Sequence, residues 1–408
     1  MIAEVIAVGD ELTSGQRLDT NSQWLSQRLG EIGIPVLFHS TVGDDIAACV
    51  SVFRNAMSRA NLIVATGGLG PTADDLTRDA IAQAAGVELE LQQDLLDHIE
   101  QMFTRRGRTM PERNRVQAMI PSGSQSIPNP HGTAPGVDIC TLIANNTGRT
   151  FALPGVPAEM KEMWDETVLD RIRGIPEIPN KVIRHHCLKC FGIGESACEE
   201  LMPDLIRRGR TPSVGITVHR GTITLRITAA GDSDEDCRSQ MASTISTIHE
   251  CLGDLVFGEE HDELADITLG LLKDRQETVA VCEWGTAGLL NQWLGASANH
   301  GYVGGMVLRS LDQLDGEETR FEDPHSEPFA QRMADIAREQ FDATYGIAVT
   351  AFPVSGNPED RYTIAMSSGN KTITKSNPLA PHPDIRRDLA AKQVINLLRL
   401  HVSRLSDA

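Results

Sequence analysis

A run of glycines and acids stands early in the chain, Thr66-Gly67-Gly68-Leu69-Gly70-Pro71-Thr72-Ala73-Asp74-Asp75. These residue types suit phosphate chemistry. Glycines let backbone N–H groups approach an anion, and a helix start adds free N–H groups and positive dipole. Asp74 and Asp75 beside a phosphate would repel it, unless a divalent cation lies between or one carboxylate handles a water. A plainer reading stays open: Thr72 and Asp75 have the spacing of a helix-capping pair, and Asp74 is solvated. The run is neither a Walker motif nor a dinucleotide fingerprint.

The flanking pattern supplies the frame. Leu62-Ile63-Val64-Ala65 reads as a buried strand, and Leu76 to Ala85 as a helix stopped by Gly86. Ala3 to Val8 is a first strand ending in Gly9-Asp10-Glu11. Asp19-Thr20-Asn21 opens a helix with Leu25, Leu29 and Ile32 on one face, closed by Gly33. Pro35 to Val42 is a second strand, followed by Gly43-Asp44-Asp45 and a helix carrying Cys49, Val50, Phe53 and Met57. This βαβαβα order predicts an α/β fold with a parallel sheet, whose ligands sit at the carboxyl ends of the strands. Three of those ends carry acids: Asp10 and Glu11, Asp44 and Asp45, Asp74 and Asp75. Any one pair reads as a cap. Three on one rim repel each other and ask for a cation or a polar ligand.

Further on, Arg105-Arg106-Gly107-Arg108 and Glu112-Arg113-Asn114-Arg115 form a basic patch, read either as a clamp on phosphates or as a solvated helix end. Asn129-Pro130-His131-Gly132-Thr133-Ala134-Pro135-Gly136 is a rigid loop, and Leu153-Pro154-Gly155-Val156-Pro157 opens another strand–turn–helix able to receive an anion. Taken in order with Gly9-Asp10-Glu11-Leu12, Asp19-Thr20-Asn21, Val42-Gly43-Asp44-Asp45 and the glycine run, these motifs resemble the CinA (competence/damage-inducible) family. That family's N-terminal half is similar to the molybdopterin-binding domain of molybdenum-cofactor biosynthesis proteins. The resemblance implies a domain over residues 1–173 that hydrolyses the pyrophosphate of ADP-ribose with a divalent metal: magnesium, manganese or cobalt. It implies Asp74 and Asp75 as catalytic, and Asp10, Asp44 and Asp74 as metal ligands. Gly67, Gly68, Gly70, Thr72, Asn21, Asn129, Arg113 and Gly155 would bind the substrate. The residues themselves agree on phosphate and metal, and do not choose ADP-ribose over a pterin phosphate.

Gly174 to Pro179 reads as a linker. Residues 180–258 alternate strand and helix patterns, a small α+β module similar to the family's KH-like domain. No nucleic-acid-binding Gly-x-x-Gly loop is seen there, so it reads as a spacer or dimerisation module. His185-His186-Cys187 and Cys190 are zinc-ligand types, but His185 and Cys187 would face one side of a strand and His186 the other, with no second ligand pair at finger spacing.

From residue 261 to 408 the pattern is again α/β, closed by a long helix from Asp384 to Leu405. Here the family has a deamidase domain acting on nicotinamide mononucleotide, with a motif Ala-Glu-Ser-Cys-Thr-Gly-Gly whose serine is the nucleophile. This chain has Cys282-Glu283-Trp284-Gly285-Thr286-Ala287-Gly288, with Trp284 in the serine's place. Arg309 and Leu314 depart from the family's later motif, and the loop after Thr350 has become Ala351-Phe352-Pro353-Val354-Ser355-Gly356. An indole cannot attack a carbonyl. Thr286 would face the side of Trp284 were the turn extended, Glu283 could cap the next helix, and Cys282 ends an apolar strand. The resemblance therefore implies a degenerate amidase-like site at Glu283, Trp284 and Thr286.

The 408 residues suffice for two or three domains, and a net charge of −19 argues against broad nucleic-acid or anionic-membrane binding. No apolar run reaches membrane-spanning length, no signal peptide is seen, and eight scattered cysteines read as reduced. The expectation is a cytoplasmic homodimer acting on a small nucleotide. A non-catalytic pterin- or nucleotide-binding scaffold and a nicotinamide-nucleotide amidase are the alternatives.

Overall fold

The computed structural model describes residues 1–143, 146–176, 181–202, 204–207, 209–314, 321–354 and 360–406. The linker residues Glu177 to Pro179, and Ser355 and Gly356 of the altered loop, lie outside the described residues. The chain divides into two compact units, residues 1–184 with 230–237, and residues 185–229 with 238–408.

The first unit contains β1 (Ala3–Val8), α1 (Asp10–Thr13), α2 (Thr20–Glu31), β2 (Val36–Val42), α3 (Ile46–Arg59), β3 (Leu62–Thr66) and α4 (Thr77–Ala85). Then come β4 (Leu89–Leu91), α5 (Gln93–Arg105), β5 (Met119–Pro121), β6 (Gln125–Ile127), β7 (Gly136–Ile143), β8 (Asn146–Leu153), α6 (Pro157–Met163) and α7 (Leu169–Arg173). The sheet order is β2-β1-β3-β8-β7-β6. Its first four strands are parallel, as the βαβαβα pattern predicts for β1, β2 and β3, with β8 joining them. The sheet is not wholly parallel, because β7 and β6 add on antiparallel. Ile143 faces Asn146 across the β7–β8 pair, and so short a connection cannot carry a crossover helix.

Strand alternation builds a core on each sheet face. Ile6, Val8, Ile63 and Ala65 pack with Phe53 and Met57 of α3 and Ile81 of α4. Val5, Leu62 and Val64 pack on the other side with Leu25 and Leu29 of α2, and with Trp164. Helix starts follow their caps: Asp19 accepts from the N–H of Ser22 at 2.9 Å, and Asp45 from that of Ala48 at 2.8 Å. Gly86, at φ 74, ends α4 in the left-handed region.

In the second unit and its borders lie β9 (Val182–Cys190), α8 (Glu195–Leu201), β10 (Ser213–His219), β11 (Thr222–Gly231), α9 (Asp234–Leu252) and β12 (Val256–Glu259), with sheet order β10-β11-β9-β12. His185 contacts Thr228 at 2.8 Å, and His186 lies 2.9 Å from Glu260. There follow α10 (Leu264–Asp274), β13 (Val279–Glu283), α11 (Leu289–Ala296), β14 (Tyr302–Val307), α12 (Glu327–Gln340), β15 (Tyr345–Val349), β16 (Arg361–Ser367), β17 (Thr372–Pro378) and α13 (Pro383–Ser406). This sheet runs β14-β13-β15-β16-β17, parallel over its first three strands and antiparallel beyond. Among the described residues no helix is long and apolar enough to cross a membrane.

Candidate active site

The turn after β3 is built by close backbone approach. Gly67 and Gly68 have φ of 101° and 65°, and a Cβ on Gly67 would sit 2.2 Å from the Val8 carbonyl oxygen. Side chains there are excluded twice, by conformation and by space. Asp75 organises the rest of the loop. Its carboxylate accepts from the N–H of Gly70 at 2.7 Å, and from the N–H of Thr72 at 2.8 Å and its hydroxyl at 2.5 Å. From α4, the buried Arg78 donates to the carbonyls of Leu69 and Gly70, each at 2.7 Å, and Thr77 donates to Gly67 O at 2.8 Å.

Three expectations change here. Thr72 and Asp75 do pair, but not as a helix cap: α4 begins at Thr77, and Leu76 at its N-cap makes no side-chain bond. The N–H groups of Gly70 and Thr72, expected to cradle a phosphate, already serve the chain's own anion, Asp75. Asp75, expected as a catalytic residue, is thereby engaged as a brace of the loop while it still lines the cleft. Gly67 and Gly68 also line the cleft, with the Gly67 N–H donating to Leu153 O at 3.0 Å.

The acids do gather. Asp10 and Asp44 bracket one another: Asp10 N–H donates to Asp44 at 3.1 Å, and Asp44 N–H to Asp10 at 2.9 Å. Asp44, Asp74 and Glu11 line a cleft of about 530 Å³ that Gly67 and Gly68 also border. Partial burial raises the Asp44 pKa above the usual aspartate value; the Asp10 N–H opposes this, and the charges of Asp10, Asp74 and Glu11 add to the rise. Asp10 itself is exposed and is not on the cleft wall. Among the described residues, no three His, Cys, Asp or Glu converge to hold a metal ion by themselves.

The remaining expected residues divide between wall and scaffold. Asn21 donates to Thr66 Oγ1 and to Gly155 O, both at 3.0 Å, and lines a small recess beside the cleft. Gly155 is where the second turn meets the first: a Cβ there would lie 3.4 Å from Gly67 Cα. Asn129 is buried; it donates to Ala134 O and Glu159, accepts from the N–H groups of His131 and Gly132, and so shapes the 129–134 loop from inside. Arg113 is exposed and absent from the cleft wall, where its short helix contributes Gln117 instead. Among the described residues, the cation on the cleft wall is Arg17, which lines both cleft and recess. Nothing in the Gly15-Gln16-Arg17 pattern signals it, and nothing in the helix pattern of residues 76–85 marks Arg78.

In the second unit the turn after β13 is closed by its own side chains. Glu283, fully buried, accepts from the hydroxyl of Thr286, the N–H of Leu290 at 3.2 Å, and both the N–H and side-chain amide of Asn291. Thr286 is thus buried and turned to Glu283, instead of lying alongside Trp284. Trp284 packs edge-on to Phe329 with ring centroids 6.1 Å apart, in a cluster that also holds Leu308 and Leu314. Burial, with Glu283 beside it, pushes the Cys282 thiol up to about 12.

Two family models match the chain. The family described as a probable molybdopterin binding domain matches residues 4–174, and the damage-inducible protein CinA KH domain matches residues 185–258. A CinA-like protein of Frankia casuarinae is 34% identical over 435 aligned residues, covering 100% of this chain and 98% of its own. A CinA-like protein of Synechococcus sp. is 32% identical over 414, covering 98% of each. A solved structure, the protein CinA with unknown function from Thermoplasma acidophilum, is 33% identical and covers 41% of this chain and 96% of its own, with a TM-score of 0.37. With full-length relatives at this identity and two family domains in order, the chain belongs to the CinA family.

Proposed function

We propose that the first unit hydrolyses the pyrophosphate of ADP-ribose or a similar nucleotide with the help of a divalent cation, and that the second unit is silent as a nicotinamide-nucleotide deamidase. The observation that carries the first part is the convergence of Asp44, Asp74 and Glu11 on a cleft that also presents Gly67, Gly68 and Arg17. Carboxylate oxygens are the donors that magnesium and manganese prefer, and the burial and neighbouring carboxylates that raise the Asp44 pKa are what a cation would offset. Asp44 and Asp74 would hold the ion with Glu11 nearby; with no complete protein cage, substrate phosphate and water would fill the remaining positions. The bound ion would supply polarisation of the phosphoryl oxygens and a more acidic water.

The chain's own residues do the rest. Gly67 and Gly68 allow a phosphate to approach the backbone, Arg17 offsets its charge, and Asn21 and Gly155 hold the two turns together. Asp74, exposed at the rim, orients a water for attack on phosphorus. The P–O bond to the second phosphate breaks, giving AMP and ribose 5-phosphate from ADP-ribose. Incubation with a panel of pyrophosphate-containing nucleotides plus magnesium, manganese or cobalt, read by chromatography, tests this.

A second reading is a nucleotide- or pterin-binding scaffold without turnover. Its support is Asp75, which occupies loop N–H groups that a phosphate would otherwise use. Calorimetric binding of ADP-ribose with no AMP formed would favour the scaffold. We further propose a cytoplasmic homodimer that acts on neither nucleic acid nor membrane; light scattering giving a monomer mass at all concentrations would contradict the dimer.

A further inference from the structure

A separate cavity of about 370 Å³ lies in the second unit, between the β10–β11 turn, the start of α10, the end of α11 and α13. That size falls within the range of small-molecule sites, roughly 300–1,000 Å³. Lys392 is its central group. It is more than nine-tenths buried, and its ammonium donates to Arg220 O at 3.1 Å and Thr222 Oγ1 at 2.8 Å. Both acceptors are neutral, and among the described residues no carboxylate lies within 4.0 Å of it. An ammonium has three protons, so one is left over. Burial lowers its pKa, with Glu263 and Asp388 only partly opposing. A buried ammonium with one proton unplaced and no carboxylate in direct contact favours an arriving acceptor that carries negative charge.

The other walls limit which anion. Asp388 is already paired with Arg220 at 3.3 Å. Glu263 and Asp266 border the same space from α10, where a simple anion would meet them unfavourably and an ammonium favourably. Asp266 also accepts from the Ser297 hydroxyl. Trp293 supplies an aromatic wall, its ring centroid 6.0 Å from the Lys392 nitrogen.

We propose that this cavity binds a small zwitterion, a free α-amino acid with an apolar or aromatic side chain. Its carboxylate meets Lys392, its ammonium meets Glu263 and Asp266, and its side chain lies on Trp293. The test is isothermal titration of the full chain with L-phenylalanine, L-leucine and L-alanine, alongside N-acetyl-L-phenylalanine and L-phenylalaninamide. Saturable binding is expected for at least one free amino acid, tightest where the side chain is large. Blocking either end of phenylalanine, or Lys392→Met, should weaken it at least about tenfold. Because Lys392 also holds the turn, Glu263→Gln provides a second variant, expected to weaken the free amino acid but not the N-acetyl form. The proposal is overturned if no free amino acid binds saturably up to about 10 mM, if blocked and free forms bind alike, or if a folded Lys392→Met protein binds unchanged.

Discussion

The turn after β3 and the turn after β13 share one plan and differ by one neighbour. In each, a carboxylate at the turn accepts several donors and braces it: Asp75 from Gly70 and Thr72, Glu283 from Thr286, Leu290 and Asn291. Beside the first brace stands Asp74, exposed and facing a cleft with Asp44 and Glu11. Beside the second stands Trp284, packed on Phe329. A carboxylate spent on its own backbone makes a scaffold, and chemistry depends on what stands next to it. One turn keeps a polar neighbour in contact with solvent; the other has filled that place with an aromatic ring.

The largest effect should come from removing the polar neighbour. Asp74→Asn and Asp44→Asn are each expected to reduce cation-dependent nucleotide hydrolysis at least about a hundredfold while both proteins still melt cooperatively as folded chains. Near-normal turnover in both would break the comparison on its active side. Asp75→Ala should act on structure first, since it strands the loop N–H groups it serves. A loss of about 2 kcal/mol in urea unfolding is expected, with activity falling as a consequence. If Asp75→Ala leaves stability intact, the brace is misassigned.

The silent side is sharpened by Trp284→Ser. This half-buried ring sits in an apolar cluster, so the substitution should cost about 1–3 kcal/mol and still release no ammonia from nicotinamide mononucleotide. Restored ammonia release would show that only the nucleophile had been lost.

The smallest effect is a pH dependence. The pKa of Asp44 is raised in the folded protein, so its ionised form is a cost to folding above that pKa, relieved as pH falls through it. Without divalent cation, Asp44→Asn should therefore melt higher than the unaltered chain at neutral pH. The gap should close as pH falls toward roughly 4. Added cation should reverse the order, because only the unaltered site gains from binding it. A lower-melting Asp44→Asn protein at neutral pH without cation would contradict the cost assigned to the buried, crowded Asp44 charge.

Much of the frame was legible because its signals are local. Strand periodicity, the caps at Asp19 and Asp45, and Gly86 after α4 each act within a few residues. The antiparallel β7 and β6 depend on pairing across the sheet, which apolar alternation leaves open. At the site, the residue types Gly67, Asp44 and Asp74 could be read from spacing. The division between wall and scaffold could not, because it is set by contacts distant in sequence. Asn129 is turned inward by Ala134 and Glu159, Asp10 binds the Asp44 N–H without lining the cleft, and Arg113 is exposed and off the wall while Arg17 lines it. Arg78 looks like any helix arginine until the loop carbonyls it holds are in place.

The contrast between the two turns reduces to one incubation. The full chain is given ADP-ribose and nicotinamide mononucleotide together, with and without magnesium or manganese, and AMP and ammonia are measured in the same sample. The account predicts AMP that appears only with the cation, and no ammonia in either case. Ammonia without AMP would contradict it on both sides.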